Sequence, residues 1–195
     1  MKKFIFIFLV SIIGYGQDDK YVETQEPNQL TGKVVENKKD EFTGDYKIQV
    51  NAMRGNRFKN SDKITEGWLI EPIFLSVNYK KTNEKKFTYL NLEILQSSGF
   101  NNLCVSNYDG QLFIILENNE KVNLKQFSEV ECDAVLDPKY TISDNDLLKL
   151  SKYKISKIRV YYTKNYGDYI IREDRKALIL NTFQVLKEQI SRIIQ

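Results

Sequence analysis

The chain has 195 residues, 29 basic and 26 acidic side chains, a formal net charge of +3 and no histidine. Without histidine there is no Ser-His-Asp or Cys-His catalysis, no H-E-x-x-H zinc site and no histidine-ligated haem or iron. The near balance of charge also speaks against nucleic-acid binding, which calls for a basic excess gathered on one face.

The first element is an address. Lys2 and Lys3 precede an apolar run, Phe4 to Ile13, and Gly14-Tyr15-Gly16 places small residues before a cut ahead of Gln17. This is the layout of a secretory signal peptide over residues 1–16. The run is far shorter than the roughly 20 residues of a spanning helix, so no transmembrane segment is expected after cleavage. Gln17 stands where a lipid-modified chain would carry Cys. The expected location is therefore exported, periplasmic or extracellular.

Residues 17–40 are polar, with Pro27, and read as a flexible leader in which Val34-Val35 could add a short edge strand. From Glu41 to the C-terminus the length suits one domain, 41–195. Two-residue alternation marks strands at Ile73–Tyr79, with a charged turn over Lys80–Lys86, and at Leu90–Ile94. Leu103–Asn107 runs into Asp109-Gly110, a strong hairpin signal, before the inward row Leu112, Ile114 and Leu116. Asn118-Asn119 allows another turn before Val122 and Leu124. These elements predict an antiparallel meander.

Ser143-Asp144-Asn145-Asp146 predicts a short helix capped by the Ser143 hydroxyl and anchored by Leu147, Leu148 and Leu150. A calcium-loop reading of the same residues lacks the glycine and the distant Glu that such loops need. Ile158, Val160 and Tyr162 form the next inward row, with Lys157, Arg159 and Tyr161 opposite. A turn at Asn165–Gly167 leads to Tyr169–Ile171. A long helix over Glu173–Ile194 closes the chain, its stripe running through Ile179, Phe183, Leu186, Ile190 and Ile193. The fold expected is α+β: an antiparallel sheet, sandwich-like if it splits, with the terminal helix packed on it.

Cys104 and Cys132 are the only cysteines. In an oxidising compartment they would pair, while Cys132 alternates with the inward-looking Val130 and Ala134 and Cys104 with Ser106 and Tyr108. A disulfide and two buried free thiols both remain open on this pattern. No C-x-x-C spacing supports redox or zinc chemistry, and neither cofactor nor metal is expected.

Two clusters invite a functional reading. Tyr161, Tyr162, Tyr166 and Tyr169, with the single tryptophan Trp68, could form an aromatic binding face, since aromatic rings offer large apolar area at little entropic cost. They also suit a strand on packing grounds alone. Arg54, Arg57, Lys59 and Lys63 crowd a loop that lacks a phosphate-binding pattern and reads as solvated surface.

A family likeness rests on Asp40-Glu41-Phe42-Thr43-Gly44, Tyr89-Leu90-Asn91-Leu92, Tyr108-Asp109-Gly110, the run Tyr140 to Tyr162, the terminal helix and the leader ending Gly14-Tyr15-Gly16-Gln17. In these the chain resembles small exported proteins of unknown function from Bacteroidetes-type bacteria. The resemblance implies an exported α+β protein and carries no catalytic residue. The function expected is a non-catalytic binding module for a protein or a cell-envelope polymer. A histidine-free hydrolase using a carboxylate pair, or a structural accessory of an outer-membrane assembly, would be the alternative.

Overall fold

The structure, a computed structural model, describes residues 32–52, 73–95, 104–105, 110–129, 132, 135–163 and 166–194. The expected signal peptide, Trp68 and the 54–63 basic loop lie outside them. Ten antiparallel strands form one sheet: β1 (Lys33–Lys39), β2 (Tyr46–Asn51), β3 (Ile73–Lys81), β4 (Lys86–Leu95), β5 (Gln111–Leu116), β6 (Lys121–Gln126), β7 (Val135–Leu136), β8 (Lys139–Ile142), β9 (Ile155–Tyr161) and β10 (Tyr166–Ile170). Among the described residues two helices accompany them, α1 (Asp144–Leu150) and α2 (Glu173–Ile194). The fold class expected from sequence, α+β with a terminal helix on an antiparallel sheet, is the one observed.

Strand order is β1-β2-β3-β4-β8-β6-β5-β9-β10, with β7 pairing the far end of β4. The simple meander is thus corrected: β4 and β5 are separated by β8 and β6. Most of the expected Leu103–Asn107 strand and Asp109 lie outside the described residues, but both edges of β5 are taken, one by β6 and one by β9. Val105 instead makes a lone bridge to Tyr162. Strands β7 and β8 lie along β4 as one interrupted strand. Pro138, which has no N–H to give, sits at the break, and its carbonyl accepts from the Leu92 amide at 3.1 Å.

The sheet curls because one helix serves both of its ends. Helix α2 packs on β1, β2 and β3 near one end of the strand order and on β9 near the other. A single sheet wrapped round a helix therefore replaces any two-sheet sandwich. Ile179, Phe183 and Leu186 are buried along the predicted stripe, and Leu178 and Thr182 widen it by a second row. They meet the inward side chains of the strands, among them Ile48, Val50, Val77, Leu90, Leu92, Leu112, Ile114 and Ile158. The Thr182 hydroxyl, fully buried, donates to the Leu178 carbonyl at 2.9 Å, so its burial leaves no unmade bond.

Strand β1 corrects the leader. Residues 33–39 form an edge strand tied to α2 by two bonds: Gly32 N–H to the Asn181 side-chain oxygen at 2.8 Å, and the Asn37 amide to Gln189 at 3.1 Å. Residues 32–39, ahead of Glu41, are thus joined to the sheet and to the helix. A Cβ on Gly32 would come within 2.6 Å of the Thr182 Cα, so only glycine permits this approach.

Helix α1 begins as predicted, with the Asp146 N–H donating to the Ser143 Oγ at 3.1 Å. Of its expected anchors Leu147 and Leu150 are buried, whereas Leu148 is 52% exposed and anchors nothing. At about 100° per residue Leu147 and Leu150 lie only about 60° apart, whereas Leu148 is turned about 160° from Leu150 and faces outward. Tyr166 and Gly167 belong to β10 and not to the turn before it.

Cys104 and Cys132 are joined in a disulfide, Cα–Cα 4.3 Å. Cys132 is exposed, so the inward row expected for it does not hold. The bridge links the segment that meets β9, where the Thr163 N–H donates to the Cys104 carbonyl at 2.9 Å, to the connection between β6 and β7.

Candidate functional site

The four expected tyrosines divide by strand parity. In β9 and β10 the residues 158, 160, 162 and 169 point into the curl, and 157, 159, 161, 166, 168 and 170 point out. Tyr162 is buried and Tyr169 half-buried, and their hydroxyls hydrogen-bond to each other. The Tyr169 ring reaches there by lying over Gly167, where a Cβ would stand 2.9 Å from its hydroxyl oxygen. Burial, and then the neighbouring phenol, push the Tyr162 hydroxyl well above the ordinary phenol range; burial pushes Tyr169 up as well. This inner pair is packing. It is no part of a binding face.

Tyr161 and Tyr166 do face solvent, 36% and 53% exposed. They stand directly opposite each other across β9 and β10, with ring centroids 5.9 Å apart, and Phe113 of β5 reaches Tyr161 diagonally from the neighbouring row, 5.5 Å away. The next transverse row runs Asn123, Phe113, Arg159, Asp168, and the one after it Lys121, Ile115, Lys157, Ile170. Register therefore sets the tyrosine pair beside a row that holds Phe113 and Arg159, with the basic and apolar row beyond it.

Arg159 organises the junction. Its guanidinium grips Asp168 with two bonds, 2.6 and 2.8 Å, and lies 3.9 Å from the centre of the Tyr166 ring. A planar fork is what permits both contacts at once. The same hydrogen bonds raise the Arg159 pKa and hold the Asp168 carboxyl below the usual carboxylate range. Lys157 also approaches Asp168, at 3.8 Å. Between these rows lies an open depression of about 250 Å³, lined by Phe113, Ile115, Lys121, Lys157, Arg159 and Tyr161.

Beside this face runs an uncovered edge. Among the described strands β10 ends the order and pairs with β9 alone. Its counterpart β1 carries Lys33, Lys38 and Lys39, a register shift near Val34 and the two bonds to α2, all of which discourage further pairing. Strand β10 has neither lysine nor proline, and Ile170 on it is 71% exposed.

Phe113, Lys121, Lys157, Arg159 and Asp168 were not singled out from the sequence. The Arg159–Asp168 pairing was accessible in principle from the β9–β10 hairpin, but Phe113 and Lys121 join it only through the non-local β5–β9 contact. A second aromatic group, Phe87, Tyr89 and Phe127, has centroids 5.2 to 5.6 Å apart, and Phe127 is 45% exposed. Among the described residues no group of three or more Asp, Glu, Cys or His side chains gathers that could hold a metal ion. Likewise none of their helices is long and apolar enough to cross a membrane. Comparison with protein-family models, with curated proteins and with solved structures finds no match.

Proposed function

We propose that the chain is an exported, non-catalytic binding module that takes up a negatively charged partner chain or cell-envelope polymer on the outer face of β5, β9 and β10. The observation that carries this reading is the aromatic trio Phe113, Tyr161 and Tyr166 packed near Lys121, Lys157 and Arg159, beside an edge strand that among the described strands pairs with β9 alone. Rings and apolar segments stack on the trio, while Lys121 and Lys157 meet the negative groups. Arg159, already held by Asp168, keeps Tyr166 in place.

The depression is only partly enclosed, which leaves room for an extended ligand to run on past it. Arg159 holds the Asp168 carboxyl ionised, which does not suit this residue to a general-acid role. The disulfide favours an oxidising compartment, in line with the leader and with the resemblance to small exported proteins.

The test compares the chain with its Tyr161→Ala/Tyr166→Ala and Lys121→Glu/Lys157→Glu variants in co-sedimentation with insoluble envelope material. All four positions are solvent-facing, so the fold should survive each pair. Loss of sedimentation in both variants supports the reading, and equal sedimentation of all three proteins refutes it.

A further inference from the structure

Residues 40–45, between β1 and β2, form a turn with little freedom. One Asp40 carboxylate oxygen accepts from the Phe42 and Thr43 amides at 2.9 and 2.8 Å. The Gly44 N–H donates to the Asp40 carbonyl at 2.9 Å, the Asp40 N–H to the Asp45 carbonyl at 2.8 Å, and the Asp45 N–H to the Thr43 hydroxyl at 3.2 Å. Gly44 sits at φ +73°, open to glycine without strain. At the apex Phe42 is 99% exposed. None of these bonds uses its ring, so the turn holds a bare phenyl group in water without needing it.

The turn at Thr82–Lys85 stands alongside, since a Cβ on Gly44 would lie 3.7 Å from the Asn83 side-chain oxygen. Register then gathers lysines at this end of the sheet: Lys39, Lys81 and Lys86 lie in one transverse row with Tyr46, and Lys38, Lys47 and Lys80 in the next. Over 38–47 and 80–86 there are seven lysines, four acids and no arginine. Lys47 pairs with Glu36 at 2.6 Å and Lys86 with Asp144 at 3.7 Å. Lys38, Lys39, Lys80, Lys81 and Lys85 form no ion pair among the described residues.

We propose that this end of the sheet docks on an anionic lipid surface, with Phe42 entering between the headgroups and the lysines around it meeting the phosphates. The site is distinct from the β9–β10 face and does not depend on it. A convex apex has no groove for a partner's side chain, yet it suits a soft planar surface. The cation type points the same way: protein interfaces are enriched in arginine and depleted in lysine, whereas a lipid surface asks only for diffuse charge on long stems. One ring and a few lysines give weak, reversible attachment.

The test is flotation of the chain, as recovered from cells, with vesicles of phosphatidylcholine alone or with phosphatidylglycerol added. The proposal expects binding only with the anionic lipid, weakened by salt. It expects about a tenfold lower partition for Phe42→Ser, the order of one lost phenyl transfer, and a comparable loss for Lys81→Glu/Lys85→Glu. Because Phe42 packs against nothing, its variant should keep the wild-type melting temperature, which separates docking from folding. Equal partition of Phe42→Ser and wild type would overturn the proposal. So would indifference to lipid charge, or no vesicle binding at all, the result expected if an acidic protein were the partner instead.

Discussion

Phe183→Ala is the sharpest perturbation of the helix-in-sheet architecture. Phe183 is fully buried at the middle of α2, where the helix meets strands from both ends of the strand order. Truncating a buried Phe to Ala costs about 3–5 kcal/mol, the lost transfer plus the cavity left behind. In a domain of this size each kcal/mol moves the melting temperature by about 2–4 °C, so calorimetry should record a fall of roughly 6–20 °C. Leu148→Ala is the control. That side chain is half exposed on α1, and its loss should stay within about 0.5 kcal/mol, the range of ordinary surface substitutions. A Phe183→Ala melting temperature within 2 °C of wild type, by the same scale, would mean that the sheet does not close on the helix, and the core assignment would fail with it.

Gly32→Ala should cost roughly 1–3 kcal/mol, because its Cβ would meet the Thr182 backbone and push β1 off α2. Asn181→Ala, which removes only the hydrogen bond from Gly32, should cost about 1 kcal/mol, and denaturant melts of the two would show whether β1 belongs to the domain. Burial holds Tyr162 and Tyr169 protonated beyond the free phenol range, so above about pH 10 the folded chain binds more protons than the unfolded one. Their contribution to stability is therefore complete below that pH and declines as the pH rises; tyrosinate absorbance should show these two phenols ionising only as the fold opens, and all tyrosines titrating together in the folded state would contradict this. The Cys104–Cys132 bridge, with a sequence separation of 28, is worth about 3.5 kcal/mol by loop entropy, and labelling of the denatured, unreduced chain should find no free thiol.

Local signals in the sequence translated well. The α2 stripe, the Ser143 cap, the Asn118-Asn119 turn and the inward rows of β4, β5, β6 and β9 each depend on residues a few positions apart. What stayed hidden was pairing over distance. Asp109-Gly110 carries a good hairpin dipeptide, yet β9 competes for the edge of β5 and takes it. Val34-Val35 allowed a short edge strand, but the polar composition of 33–39 hid its full length, because an edge needs apolar residues on one face only and much of its support comes from bonds to α2. The tyrosine cluster was visible as composition, but parity decided which members face water. Its real neighbours, Phe113 and Lys121, come from strands more than thirty residues away in the chain. Phe42 stands out in the sequence only within the stretch that carries the family likeness, since exposure is not a property of sequence.

Hydrogen–deuterium exchange of the chain, alone and with solubilised envelope material, tests the binding face most directly. The outer face of β5, β9 and β10 as the contact surface predicts added protection in peptides covering 111–115, 157–161 and 166–170, and its loss in Tyr161→Ala/Tyr166→Ala. Protection confined to other strands, or unchanged exchange in a preparation that demonstrably binds, would contradict it.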